Sequence, residues 1–138
     1  MKKDCFLIFT NPKNSISIYI SKDAWDDFGK FILRNEKKCE KLNYVVKCLC
    51  ANSANRKIYQ EYKDYPGTAA FKLGRGENNL RIYCKVEKIA IENSFQKRIT
   101  ISTIFNKRVQ ELGKKEIGYL KAIQQTEYKY GGIIDIST

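Results

Sequence analysis

Between Leu80 and Val86 apolar and polar residues take turns without a break. Leu80, Ile82, Cys84 and Val86 alternate with Arg81, Tyr83 and Lys85. Side chains repeat every second residue along a strand, so the run has one apolar face and one cationic, aromatic face. The same period returns at Ile99, Ile101, Thr103 and Phe105, and that run ends in Phe105-Asn106-Lys107-Arg108. A sheet with one solvated side accounts for such alternation without any functional demand. A row of Arg81, Tyr83 and Lys85 also suits a nucleic-acid backbone, with charge for phosphates and a ring for a base to lie on. The second basic strand end can converge on the same face.

Charge supports the second interpretation. The 138 residues hold 26 Lys+Arg against 15 Asp+Glu, a formal net of +11. So basic a balance favours an anionic partner: nucleic acid, a ribosome, an acidic protein, or at lower rank a membrane surface. With 43% hydrophobic residues the chain suits a single folded domain over residues 1–138. No run approaches the roughly 18 apolar residues that a membrane span needs. The apolar stretch Cys5–Phe9 is short, and Asn11-Pro12-Lys13-Asn14 ends it without a small-residue cleavage site, so a cytoplasmic protein is expected. Five cysteines, an odd number, make a poor disulfide framework, and without histidine or CxxC a zinc site is not expected. Reduced, buried thiols and no metal or cofactor are the expectation.

Along the chain, Cys5–Thr10 and Ile16–Ile20 read as two strands joined by a turn, fit to form a hairpin. Ser21 is placed to cap a helix carrying Trp25, Phe28 and Ile32 on one stripe. After the charged break Arg34–Lys38, a second helix bears Leu42, Val45, Val46 and Leu49. Ile58 and Tyr62 either continue that face or begin a short third helix, which Pro66-Gly67 stops. Strands follow at Ala69–Leu73, Leu80–Val86 and Ile99–Phe105, the first two joined by the turn Gly74–Asn79. Lys88–Glu92 either extends its strand or opens another. Lys114–Lys129 closes the fold as a helix with Ile117, Leu120 and Ile123 inward, and the tail Gly131–Thr138 is fit to add an edge strand or dock on a partner. This order predicts an α+β fold, with N-terminal strands and helices packed on an antiparallel sheet and a C-terminal helix.

Four short motifs, Lys72-Leu73-Gly74, Leu80-Arg81-Ile82-Tyr83, Phe105-Asn106-Lys107-Arg108 and Lys114-Lys115-Glu116-Ile117, together resemble the RelE/HigB-like toxins of bacterial toxin–antitoxin pairs. The likeness covers roughly Phe71 to Tyr128; the helical half fits in order and size. The resemblance implies a compact sheet curved against helices, cleavage of mRNA on the ribosome, and neutralisation by a co-encoded antitoxin protein. By position, Arg81 matches the family's strand arginine and Arg108 its basic residue after the last strand. Lys72 and Lys107 match accessory lysines, and Arg75 has a looser counterpart. Two positions depart from the pattern. The family tyrosine falls near Lys114, with Tyr119 five residues late, and the histidine of many HigB-like members is replaced by Thr103.

The chemistry implied is cleavage of RNA through its own 2′-OH. It requires removal of the hydroxyl proton, stabilisation of charge on the phosphate, and help for the leaving 5′-oxygen. Without histidine the base must be a lysine of lowered pKa, a carboxylate, or a ribosomal or substrate group. Arginine suits the phosphate, because its fork stays charged and grips with two hydrogen bonds. The candidate set is therefore Lys72, Arg81, Lys107 and Arg108 for catalysis, with Arg75, Tyr83 and Lys85 holding RNA. A non-catalytic RNA- or ribosome-binding module, and a protein-interaction domain with an acidic partner, fit the same composition.

Overall fold

The computed structural model describes residues 2–13, 15–74, 79–107 and 113–133. Seven strands form one sheet in the order β3-β4-β5-β6-β2-β1-β7. They are β1 (Lys3–Thr10), β2 (Ile16–Ser21), β3 (Tyr59–Glu61), β4 (Thr68–Leu73), β5 (Asn79–Ile91), β6 (Ser94–Lys107) and β7 (Tyr128–Ile133). The alternating runs of the sequence lie in β5 and β6, which pair from Asn79↔Lys107 to Ile91↔Ser94.

Turn chemistry sets the registers. The Asn11 carboxamide accepts from the Ser15 and Ile16 N–H groups, tightening the β1–β2 turn. Pro66 and Gly67 occupy the middle of a tight turn in which Thr68 N–H donates to the Tyr65 carbonyl. Gly67 has φ +83°, the conformation that favours glycine there. That turn folds residues 59–61 back onto β4, with Tyr59 opposite Phe71.

The face of β5 carrying Leu80, Ile82 and Cys84 joins Ile16, Ile18, Ile20, Phe71, Ile99 and Ile101 in the main core. Two helical segments cover it. The first opens as a 3-10 turn at Lys22–Ala24, with Ser21 Oγ accepting from Asp23 N–H. It continues as α1 (Trp25–Phe28) and closes in a wide π turn at Gly29–Leu33, burying Phe28 and Ile32. The second, α2 (Glu36–Cys50), is capped by Asn35 and buries Val45. Just beyond its end, Asn52 takes a left-handed φ of 56° that asparagine tolerates well.

The opposite face is covered by α3 (Lys114–Gln125). Its Leu120 and Ile123 pack on Ala70 and Tyr83, with Tyr62, Tyr65, Phe105 and Tyr119 around them. Small Ala70 leaves the space in which a helix can approach the sheet. At the N-terminus of α3 the Glu116 carboxylate accepts from Gly113 N–H at 2.8 Å, and at its C-terminus Lys85 Nζ donates to the Thr126 carbonyl at 2.6 Å.

The expected α+β class is present, with corrections in detail. The sheet is mixed rather than antiparallel: β3 to β6 alternate in direction, but β2 runs parallel to β6 and β1 parallel to β7. The chain leaves β2, crosses the sheet through two helices, and returns to β2 only with β6; that route brings the two strands together in the same direction. The segment containing Ile58 and Tyr62 forms strand β3 instead of a third helix. The last helix ends at Gln125, so that Tyr128–Ile133 becomes an edge strand, and Lys88–Ile91 extends β5. No helix among the described residues is long and apolar enough to cross a membrane. All five cysteines are free thiols, but only Cys5 and Cys84 are buried; Cys39 and Cys48 are partly exposed and Cys50 is exposed, because α2 turns these positions partly or wholly away from the core.

Candidate functional site

Residues directly opposite one another on paired strands share a face. Lys72 of β4, Arg81 of β5 and Phe105 of β6 are consecutive partners across the sheet, which sets them in one row on the α3 side. Arg81 is half-buried, and its Nη1 lies 3.5 Å from the Leu80 carbonyl oxygen. Burial pulls its proton affinity down; the Tyr83 and Tyr62 hydroxyls and the Glu116 carboxylate act in the other direction. Among the described residues no carboxylate lies within ion-pair distance of Arg81. A partly desolvated guanidinium with no carboxylate at ion-pair distance among the described residues is a favourable seat for an incoming anion.

Lys72 is half-buried, with Nζ donating to Gln60 Oε1 at 2.7 Å. Lys38, at the start of α2, donates through Nζ to the Leu73 carbonyl at 2.6 Å. Burial is the main reason its pKa falls below the ordinary lysine value, and repulsion from Arg81 and Lys41 adds to it. Lys38 approaches this end of the sheet from the other helical layer. Nothing in the charged break Arg34–Lys38 distinguishes it from its neighbours in sequence.

Glu116, 3% exposed, is the second residue that sequence reasoning passed over. Its place within Lys114-Lys115-Glu116-Ile117 marks it as a helix-start residue, and it does bond back to Gly113 N–H. Its field also reaches Arg81, Tyr62 and Tyr83. Tyr62 has its hydroxyl pKa raised, by burial first and by Glu116 to a lesser degree, with Arg81 opposing.

The row Arg81, Tyr83, Lys85 is not an open surface. Tyr83 is fully buried beneath α3, so its ring is unavailable for a base to stack on, and its hydroxyl has no hydrogen-bond partner among the described residues. Burial, then Glu116, pushes that hydroxyl well above the ordinary tyrosine range. Lys85 is tied to the end of α3. The alternation of β5 carried no sign that a helix would settle over its polar face. Lys107 pairs with Asn79 at the end of β6, two positions beyond the Arg81–Phe105 pair. Arg75 and Arg108 lie outside the described residues.

A second polar cluster lies lower on the same face. The Arg98 guanidinium stacks on the Tyr130 ring at 3.4 Å, and Glu87 Oε1 accepts from Arg98 Nη2 at 3.2 Å and from the Tyr130 hydroxyl at 2.8 Å. Thr100 Oγ1 meets the same hydroxyl at 2.7 Å. Most of its groups satisfy one another, Arg98 Nε being the exception among the described residues, and it ties β7 to the middle of the sheet.

Compared with known proteins, the chain matches no family model, no curated protein and no solved structure.

Proposed function

We propose that this protein is a RelE/HigB-like endoribonuclease that cuts ribosome-bound mRNA through the substrate's own 2′-OH and is held in check by a co-encoded antitoxin. The observation that carries this reading is Arg81: half-buried, without an ion-pair partner among the described residues, and directly beside Lys72 in the sheet. In this role Arg81 grips the scissile phosphate and stabilises the charge that develops on it. Lys72 assists, as do Lys107 and Arg108 by the resemblance. Two groups in electrostatic reach of Arg81 are chemically able to accept the 2′-OH proton, the Lys38 amine and the Glu116 carboxylate. Both are engaged in the free protein, Lys38 with the Leu73 carbonyl and Glu116 with Gly113 N–H, and burial with repulsion from Arg81 favours the neutral form of the Lys38 amine.

The reading also takes the sheet to be RelE-like and curved against its helices. Support comes from the Tyr130–Thr100 contact, since β7 and β6 have β1 and β2 between them. A flat sheet would separate such strands by about 14 Å, beyond the reach of two side chains of this size. A basic protein acting on ribosomes would work in the cytoplasm.

Single-turnover cleavage of mRNA on translating ribosomes, at saturating protein, tests the proposal. Arg81→Ala is expected to lower the rate about 10²–10³-fold, the usual cost of one transition-state donor. Arg56→Ala, an exposed change just before β3, should cut like wild type. Wild-type protein that cuts nothing on ribosomes, or Arg81→Ala that cuts at the wild-type rate, would overturn it.

A further inference from the structure

The far end of the β5–β6 hairpin carries a feature that the site at Arg81 does not use. β4 accompanies β5 only as far as Lys85, with a last backbone bond from Val86 N–H to the Gly67 carbonyl. β2 meets β6 only from Lys97 onward. Residues 87–96 therefore project past both neighbouring strands as a two-stranded arm, closed by a two-residue turn in which Glu92 takes φ 49°. On the arm Phe95 is 60% exposed, and Lys88 Nζ lies 4.4 Å from the centre of its ring. Beside it, where β4 stops, a groove of about 720 Å³ is lined by Tyr62, Lys63, Gly67, Lys88 and Phe95 among others.

The charges along this groove do not balance. Its two glutamates are engaged, Glu61 with Lys97 and Glu87 with Arg98 and Tyr130. Lys63 and Lys88 have no carboxylate partner among the described residues. What remains is an exposed aromatic ring with Lys88 beside it and Lys63 lining the same groove, on an arm that leaves the body of the protein. Flat apolar surface together with local positive charge fits single-stranded nucleic acid, in which a base is free to stack while its phosphates meet the lysines. A duplex hides its base faces, and an acidic peptide has no use for the ring. The groove lies at the bare edge of β5, and Tyr62, which lines it, is also in the field of Arg81.

We infer that the β5–β6 arm is a single-strand RNA-binding site in which a base stacks on Phe95 and neighbouring phosphates contact Lys88 and Lys63. The inference rests on the RNA reading proposed above and adds an anchoring site made of residues that the cleavage chemistry does not use. The test is fluorescence anisotropy with a short uridine-rich single strand, the same sequence as a duplex, and a poly-glutamate competitor. Phe95 is exposed, so replacing it leaves the fold intact. Phe95→Ala should weaken single-strand binding about tenfold or more, and Phe95→Trp should preserve it. Lys88→Ala should reduce the salt dependence by about one phosphate contact. Phe95→Ala binding as wild type, a duplex binding as tightly as the single strand, or displacement by poly-glutamate at equal charge would each overturn the inference. If Phe95→Ala binds as wild type while wild type still cuts ribosomal mRNA, only the arm is wrong. If wild type neither binds the single strand nor cuts, the RNA reading falls with it.

Discussion

The two faces of the sheet are built on opposite principles. One is closed by two helical segments over isoleucine, leucine and phenylalanine, and apart from Tyr59, whose hydroxyl donates to Glu61, its buried side chains meet through apolar contact. The other is closed by α3 over Ala70, Tyr83 and a ring of tyrosines, and it takes in Arg81, Glu116, Arg98 and Glu87. On the first face tolerance is set by volume; on the second it is set by whether each polar atom finds a partner. Among the described residues the Arg98–Glu87–Tyr130 cluster finds most of them, although Arg98 Nε is unpaired, whereas around Arg81 the pairing is incomplete and the Tyr83 hydroxyl has no partner. A face that holds polar groups at some cost to stability is where a ligand has the most to gain.

That contrast can be broken most severely on the apolar side. Phe71 is fully buried beneath the helices, and Phe71→Ala should lower unfolding free energy by about 3–5 kcal/mol in chemical denaturation. A loss below about 1 kcal/mol would mean that the helical layer relaxes onto the sheet and does not pack as a rigid layer. On the polar side Glu87→Ala removes the acceptor shared by Arg98 and Tyr130, and a loss of about 1–3 kcal/mol is expected. No loss would show the cluster to be surface decoration. The smallest change sharpens the comparison most. Tyr83→Phe deletes a buried hydroxyl that has no partner among the described residues, so stability should stay level or rise by up to about 1 kcal/mol. A clear loss would show that the hydroxyl has a partner in solution.

The apolar face was largely legible in sequence, because a strand period of two assigns Leu80, Ile82 and Cys84 to one side whatever lies above them. Its polar counterpart was legible only in part. Alternation announces that Tyr83 and Lys85 share a side with Arg81, but not that Leu120 and Ile123 of a helix forty residues later settle on that side. Parallel pairing of β2 with β6 leaves no local mark, since the partners lie far apart and their order depends on how the helices cross. At Tyr59–Glu61 three residues are too few to show a period, and the turn at Pro66-Gly67 decided the outcome. Lys38 could not be singled out because its lowered pKa comes from burial and from Arg81, both products of tertiary structure.

The pairing of the edge strands has a consequence for the order in which the molecule can assemble. β5 and β6 are joined by a two-residue turn and can zip from it as soon as both exist. β2 must wait for β6, as in the Ser17–Gln96 side-chain bond that spans 79 residues of chain. β1 must wait longer, for β7, and its Cys5 thiol meets the Lys129 carbonyl across 124 residues. Bringing such distant segments together carries a larger entropic cost than closing a hairpin, and it comes late during synthesis. The hairpin bearing Arg81 and Phe95 is therefore able to form before the chain is finished, while the edge made by β1 and β7 closes only after Ile133 has emerged. In a nascent chain, both basic surfaces would exist for a time on an open sheet.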